Sequence, residues 1–174
     1  KNKGGWDVDT GSMETLHSAY LMAHGMGVPV ANACGEIDIA YDSNYCLWAL
    51  TRDWTATWNI SDPAGKFEIL LDGNALPNTL GTNGKDWSWQ LAGQIKLSKG
   101  RHTLALHDLT GFNARCDAIY ITDSENAPSS RIETVDAMRK RLNWKELCIK
   151  EKEYDLVVVG GGIAGICTAL AARR

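Results

Sequence analysis

The chain has 174 residues, 44% of them hydrophobic and 22% charged, with 18 Lys and Arg against 21 Asp and Glu for a formal charge of -3. Ordinary globular usage of this kind supports a buried core, and the acidic balance excludes a protein that grips nucleic acid through broad positive charge. No apolar run approaches the ~20 residues of a membrane-spanning helix, and no basic start followed by an apolar stretch marks a signal peptide.

The chain opens on Lys1 and stops at Arg174 inside an apolar helical pattern, so it is expected to be a piece of a longer protein. Charge divides it into three parts: residues 1–130 carry 9 basic and 15 acidic residues (net -6), 131–154 carry 7 and 5 (net +2), and 155–174 carry 2 and 1 (net +1). Between Thr15 and Val30, Leu16, Ala19, Tyr20 and Ala23 fit a helical spacing, but Gly25, Gly27 and Pro29 end it quickly. A loop with at most one strand is expected there.

From Glu36 to Asp123 the apolar residues recur with period two, the spacing of strands. Ile37, Ile39 and Tyr41 alternate with polar neighbours, and Tyr45 to Leu50 reads as a strand buried on both faces. Phe67, Ile69 and Leu71 precede the turn Asp72-Gly73-Asn74; Trp87 and Trp89 flank Ser88; Ile95 and Leu97, Leu104 and Leu106, then Ile119 and Ile121 complete the set. Short strands punctuated by Gly, Asn, Asp and Pro predict a mainly β, antiparallel sandwich. After Asp123 the texture becomes that of a linker. Ser130-Arg131-Ile132-Glu133 then has the form of a capping box, and Ile132, Val135, Met138 and Leu142 follow at helical intervals to about Asn143. Trp144, Leu147 and Ile149 extend the apolar contacts of that helix. Leu156 to Val159 reads as a buried strand, Gly160-Gly161-Gly162 as a turn, and Ile163 to Arg174 as a helix of small residues. The domains expected are a β-sandwich over 1–125, a linker with an amphipathic helix over 126–153, and a strand-turn-helix unit over 154–174.

Gly160, Gly162 and Gly165 satisfy G-x-G-x-x-G directly after a strand pattern and before a helix pattern. The first glycine permits a sharp turn, the second lets a pyrophosphate approach the backbone, and the third lets helix and strand pack closely. Free amides at the helix start then face the anion. The plain alternative is a tight glycine turn in another α/β unit. The acidic residue that grips a ribose is expected ~20 residues further on, so this chain is not expected to hold a dinucleotide alone.

The run YDLVVVGGGIAGICTALAARR resembles the opening strand, turn and helix of FAD-dependent oxidoreductases of the glutathione-reductase-like type. That resemblance implies FAD as the parent's cofactor, with Gly160, Gly162 and Gly165 at its pyrophosphate, the rest of a truncated Rossmann FAD domain as a partner, and no catalysis by this fragment. The stretches YCLWALTRDWTATW, GKFEILLDGNAL and WSWQLAGQIKLSKGRHTLALHDLTGFNARCDAIYITD resemble the golvesin/xanthan-lyase carbohydrate-binding-like domains that precede such FAD domains in certain bacterial proteins. This resemblance implies a galactose-binding-like jelly roll, association with carbohydrate, and a secreted or periplasmic setting. A stand-alone glycan-binding module and a purely structural domain packed on the flavin domain are the alternatives.

Five of the seven tryptophans lie between Trp48 and Trp89. Most tryptophans in sandwiches close a core. Trp54 and Trp58, however, lie in the polar stretch R-D-W-T-A-T-W, where a flat ring can stack on a sugar while Arg52 or Asp53 bonds its hydroxyls. Arg52, Asp53, Trp54 and Trp58 are therefore the candidate carbohydrate contacts; the alternative is that both indoles close the core edge. Asp108, Arg115 and Asp117 form a second group, which braces a loop with Arg115 forking onto a carboxylate or, alternatively, lends oxygens to calcium. His102 and His107, five apart on a strand, point to opposite faces and cannot share a metal. Five cysteines without CxxC spacing read as mostly buried thiols, with one pair within the first region left open. No nucleophile motif, zincin motif or P-loop lysine supports a hydrolase. The apolar strand at 156–159 is expected to add to a sheet edge, pair in a dimer or be covered by the capped helix.

Overall fold

The structure is a computed structural model, and it describes residues 2–58, 60–142, 155–160 and 162–173. The chain divides into two units, Lys1–Arg141 and Leu142–Arg174. The first contains ten strands among its described residues: β1 (Trp6–Asp9), β2 (Tyr20–His24), β3 (Ala33–Ile39), β4 (Ser43–Thr51), β5 (Phe67–Leu71), β6 (Asn74–Ala75), β7 (Ser88–Leu97), β8 (Gly100–Asp108), β9 (Phe112–Cys116) and β10 (Ala118–Thr122). They form three antiparallel sheets, ordered β1-β2-β9, β10-β4-β7 and β3-β8-β5-β6.

Alternation decides which face each strand buries. In β5, Phe67, Ile69 and Leu71 are buried while Glu68 and Leu70 face outward; in β8, Leu104, Leu106 and Asp108 point inward with His102 in the same phase and His107 opposite. Trp6 of β1 meets Phe67 edge to face, with centroids 5.7 Å apart, across this core. Asp72 and Gly73 close the β5-β6 hairpin at φ 47° and 81°, the left-handed pair a two-residue turn requires. The Asp72 carboxylate also accepts the Thr103 N–H at 2.8 Å and faces His102 Nδ1 at 2.7 Å.

β4 is buried on both faces, and the reason lies outside its own sheet. Tyr45, Leu47 and Ala49 join the main core, whereas Leu50 and Trp48 join a second cluster with Leu16, Tyr20, Trp89 and Val135. A register shift lies between Leu47 and Trp48. The second cluster is built from the single helical turn α1 (Met13–Leu16) and the helix α2 (Ile132–Arg141), with Val135 buried and Ile132 packed beside it. The connector helix therefore belongs to the first unit.

Arg139 fastens α2 in place. It donates to the Leu16 carbonyl, to Ser18 Oγ at 2.8 Å, to Asp136 at 3.0 Å and to Asp117 at 2.6 Å. Asp117 also accepts the Ser18 hydroxyl. Burial pushes the Asp117 carboxyl up, against the pull of Ser18 and Arg139.

Several sequence expectations change. Ser130 does not cap α2: its Oγ accepts the Trp89 N–H at 3.0 Å and is spent fixing β7. Leu142, expected on the apolar face, lies beyond the last helical residue and is exposed. Trp89 and Ile95 lie on one strand, β7, and β1 and β9 form where no strand was expected. Cys34, Cys46 and Cys116 are unpaired, so no disulfide joins them; Cys46 and Cys116 are buried, whereas Cys34 and Cys167 are exposed.

In the second unit, the helix α3 (Ile163–Ala172) starts from Gly162, whose carbonyl accepts the Ile166 N–H at 3.0 Å. The strand expected at Leu156–Val159 is not formed: it pairs with no described residue, and Leu156, Val157 and Val159 are exposed. A strand exists only within a ladder, and none is supplied here. Trp144, Leu147, Cys148, Ile149 and Tyr154 lie outside the described residues. No described helix is long and apolar enough to cross a membrane.

Candidate functional site

β9 alternates from Asn113 to Cys116, and its register against β2 shifts at Asn113. Ala114 and Cys116 are buried in the core, which turns Asn113 and Arg115 outward. Its neighbour β2 pairs Met22 with Arg115 and brings Tyr20 and His24 to the same outer face, and β1 places Asp9 opposite Tyr20. Arg52, immediately after β4, closes the side. These side chains line a depression of about 410 Å³ with Gly11, Ser12 and Met22.

The groups around it are held by specific partners. Asp9 accepts the Gly11 N–H at 2.7 Å and a bond from the Tyr20 hydroxyl; these hold its carboxyl below the ordinary carboxylate range. Burial and that bond to Asp9 push the Tyr20 phenol up. His24 Nδ1 and Asn113 Oδ1 lie 2.5 Å apart, and Asn113 adopts a left-handed φ of 58°, a conformation asparagine tolerates better than most residues. Burial and the like charge of Arg52 lower the Arg115 guanidinium, which nonetheless remains a cation near neutral pH.

An aromatic wall stands beside the depression. Trp54 donates Nε1–H to the Phe112 carbonyl at 2.9 Å, and Arg115 stacks over its ring at 5.4 Å from the centroid. A Cβ on Gly65 would collide with the Trp54 indole, so glycine is needed there for close approach. Trp58, in the 3₁₀ turn Ala56–Trp58, meets Trp54 edge on at 5.6 Å and remains 62% exposed. Phe112, Met26 and Val28 are also exposed, and the Phe112 ring packs close to Gly27.

Of the four residues expected at a carbohydrate site, Arg52, Trp54 and Trp58 lie around this one region. Asp53 does not join them. It is 4% exposed and accepts both the N–H and the hydroxyl of Thr55, so it shapes the turn that carries the indoles. Sequence reading missed Asp9, Tyr20 and Asn113 here and misassigned Arg115. The signal for Asn113 and Arg115 was the period-two run Asn113-Ala114-Arg115-Cys116, whose buried residues are too small to resemble a strand's apolar face.

The second expected constellation separates. Asp108, fully buried, accepts N–H groups from Val30, Thr110 and Gly111 and braces the loop without a cation among the described residues. Asp117 is met by Arg139, not by Arg115, which correctly places bracing there but changes the arginine. No cluster of three or more potential metal ligands occurs among the described residues.

At the glycine turn, Gly160 has a φ of 115°, and a Cβ on Gly165 would strike the Gly160 carbonyl. A Cβ on Gly162 would meet no atom of the described residues within 4 Å. Gly165 thus permits close packing of helix on turn.

No family model and no curated protein matches the chain. Solved structures do. The β-(1,4)-mannanase GH26-CBM35 of Podospora anserina is 20% identical, with a TM-score of 0.53 over 71% of this chain and 26% of its own. A family 35 carbohydrate binding module from Clostridium thermocellum is 15% identical, with a TM-score of 0.52 over 69% of this chain and 89% of its own. The CBM35 from Cellvibrio japonicus Abf62 is 14% identical, with a TM-score of 0.52 over 72% and 90%. The chain therefore spans about a quarter of the length of the mannanase, but most of the isolated modules. At these identities the likeness shows the fold, a mainly β antiparallel sandwich of the family 35 module type.

Proposed function

We propose that the first unit is a carbohydrate-binding accessory domain and that the depression on the β1-β2-β9 face, with Trp54 and Trp58 beside it, is its ligand site. The observation that carries this reading is Trp58, a large flat ring left exposed beside a set of polar groups fixed by their own partners. An apolar platform next to a few placed donors is what sugar recognition needs: the ring takes the C–H face, and the guanidinium and amide groups take the hydroxyls. The folds named carbohydrate-binding modules among its structural relatives support the same reading. A secreted or periplasmic setting goes with it.

The test is tryptophan fluorescence and calorimetry of the 174-residue chain against a panel of oligosaccharides. Binding by the wild type that is lost in Trp58→Ala, with folding retained, supports the proposal. If Trp58→Ala changes thermal stability but no sugar response exists in either protein, the domain is a packing module instead.

A second reading concerns the other unit and rests on the Gly165 contact with the Gly160 carbonyl. Gly160, Gly162 and Gly165 would face the pyrophosphate of FAD, with the open backbone at Gly162 and the first amides of α3 as its contacts. FAD would supply the redox chemistry of the parent oxidoreductase. Purification of the parent protein with a bound flavin, and its loss in Gly162→Val, tests this. A colourless parent that takes up no added FAD refutes it.

A further inference from the structure

We propose that the open edge of β3, over Glu36 to Asp38, takes up an extended basic segment of a partner protein as an added antiparallel strand. This edge belongs to another sheet than the candidate sugar site and does not depend on the carbohydrate-binding reading. β3 ends the β3-β8-β5-β6 sheet and pairs with β8 from Ala33 to Ile39. Its other side is met once. Asn2 forms an antiparallel bridge with Cys34, giving its N–H to the Cys34 carbonyl at 3.0 Å and accepting the Cys34 N–H at 2.7 Å. Both main-chain groups of Cys34 therefore point away from β8. Such groups alternate along a strand, so those of Glu36 and Asp38 point the same way. They have no backbone partner among the described residues. Unpaired N–H and C=O groups in line with an existing bridge are a template for strand addition.

Charge decides what can occupy this edge. The side chains of Glu36 and Asp38 are 63% and 78% exposed and share Arg101, at 3.5 and 3.3 Å, so two carboxylates face one guanidinium. A second copy paired through β3 about Ile37 would set Glu36 opposite Asp38, and like charges directly across a ladder are unfavourable. A strand with Lys or Arg at alternate positions supplies the missing charge instead. Asn2, already seated on this edge, is flanked by Lys1 and Lys3 in the sequence. On the outer face beside β3, Asn2, Cys34, Glu36, Leu70, Thr103 and Ala105 line a depression of about 600 Å³. The stem of a basic side chain on the added strand can lie there with its charge at Glu36.

The test is fluorescence anisotropy of the 174-residue chain, at one fixed ionic strength, with three dye-labelled peptides. They are K-T-K-T-K-T-K, its acidic counterpart E-T-E-T-E-T-E, and the basic peptide methylated on the lysine main-chain nitrogens, which keeps the charge and removes the donors that face β3. The first should bind roughly tenfold or more tightly than either control. Hydrogen exchange read by NMR should show the Glu36 and Asp38 amides fast in the free chain, the Gly35 and Ile37 amides slow, and the fast pair slowed by the basic peptide. Asp38→Asn keeps the outward N–H and loses the charge, whereas Asp38→Pro loses both and spares the ladder with β8; the proline variant should bind more weakly than the asparagine one. Glu36→Lys, which leaves the main chain unaltered, should abolish binding while thermal unfolding stays cooperative. Equal binding of the methylated peptide means attraction by charge alone and overturns the proposal. Binding that leaves the Glu36 and Asp38 amides fast, slow exchange of those amides in the free chain, or no binding of the basic peptide overturns it as well. None of these outcomes touches the sugar site.

Discussion

Arg139→Met is the most informative perturbation of the first unit, because Arg139 is the only cation within 4.0 Å of the Asp117 carboxylate among the described residues. The Asp117 side chain is 2% exposed, so the substitution leaves a carboxylate that water cannot reach and deletes the bonds to Ser18 and the Leu16 carbonyl. Removing one partner of a buried pair costs about 3–5 kcal/mol, a third or more of the ~5–15 kcal/mol that holds an ordinary domain. For a unit of this size that corresponds to roughly a 10 °C fall in Tm. The loss has a pH signature. Burial already raises the Asp117 carboxyl, and removing Arg139 raises it further. A folded-state value above the unfolded one favours folding below the unfolded pKa, and that advantage is lost as pH rises through the folded one. The deficit of the variant should therefore be larger at pH 8 than at pH 5. Thermal unfolding followed by circular dichroism at both values measures it. In Arg139→Met/Asp117→Leu, with both charges gone, most of the stability should return, since Asp136 keeps its contact with His17. A single-variant loss under about 1 kcal/mol, or strict additivity in the double variant, would refute the buried-pair argument.

Asp108→Ala strands the N–H groups of Val30, Thr110 and Gly111. It should cost about 3 kcal/mol or more in urea unfolding, and Asp108→Asn less, because the amide retains one accepting oxygen. His102 is raised above the ordinary histidine value of about 6.5 by its contacts with Asp72 and the Ser98 carbonyl. Its folded-state contact therefore adds stability below that value, which disappears as pH climbs through the raised midpoint; an NMR titration should show the midpoint high and Asp72→Asn should return it toward normal. Native thiol labelling read by peptide mass spectrometry should modify Cys34 and Cys167 but spare Cys46 and Cys116 until the chain unfolds, since burial both hides Cys116 and pushes its thiol up.

The strands with large alternating side chains were legible from sequence, and β5 with Phe67, Ile69 and Leu71 is the plainest case. The two-sided burial of Tyr45 to Leu50 was legible as well, but its cause was not. That cause is Leu16 together with α2 covering the outer face, and α2 lies more than eighty residues from the strand it covers. β9 escaped detection because Ala114 and Cys116 are small and bury little surface, and two such residues make a short and weak period. With β9 unseen, Asn113 and Arg115 had no face, and Tyr20 and Asp9 had no reason to meet them. The local signals at the glycine turn and around Trp54 and Trp58 needed no long-range pairing to be noticed. The role of Asp53 was misread because an aspartate beside a tryptophan looks the same whether its carboxylate points into solvent or caps the next turn.

Because β9 sends alternate residues to the core and to the proposed ligand face, its two tasks are interleaved at single-residue pitch. Swapping a side chain at 113 or 115 can retune what the face holds while Ala114 and Cys116 keep their seats. One residue gained between Ala114 and Arg115, unless taken up as a bulge like that at Asn113, would turn Arg115 into the apolar layer and Cys116 toward solvent. Diversification of this face is therefore confined to substitution, and changes of length are left to the bend from Gly25 to Val28 beside it.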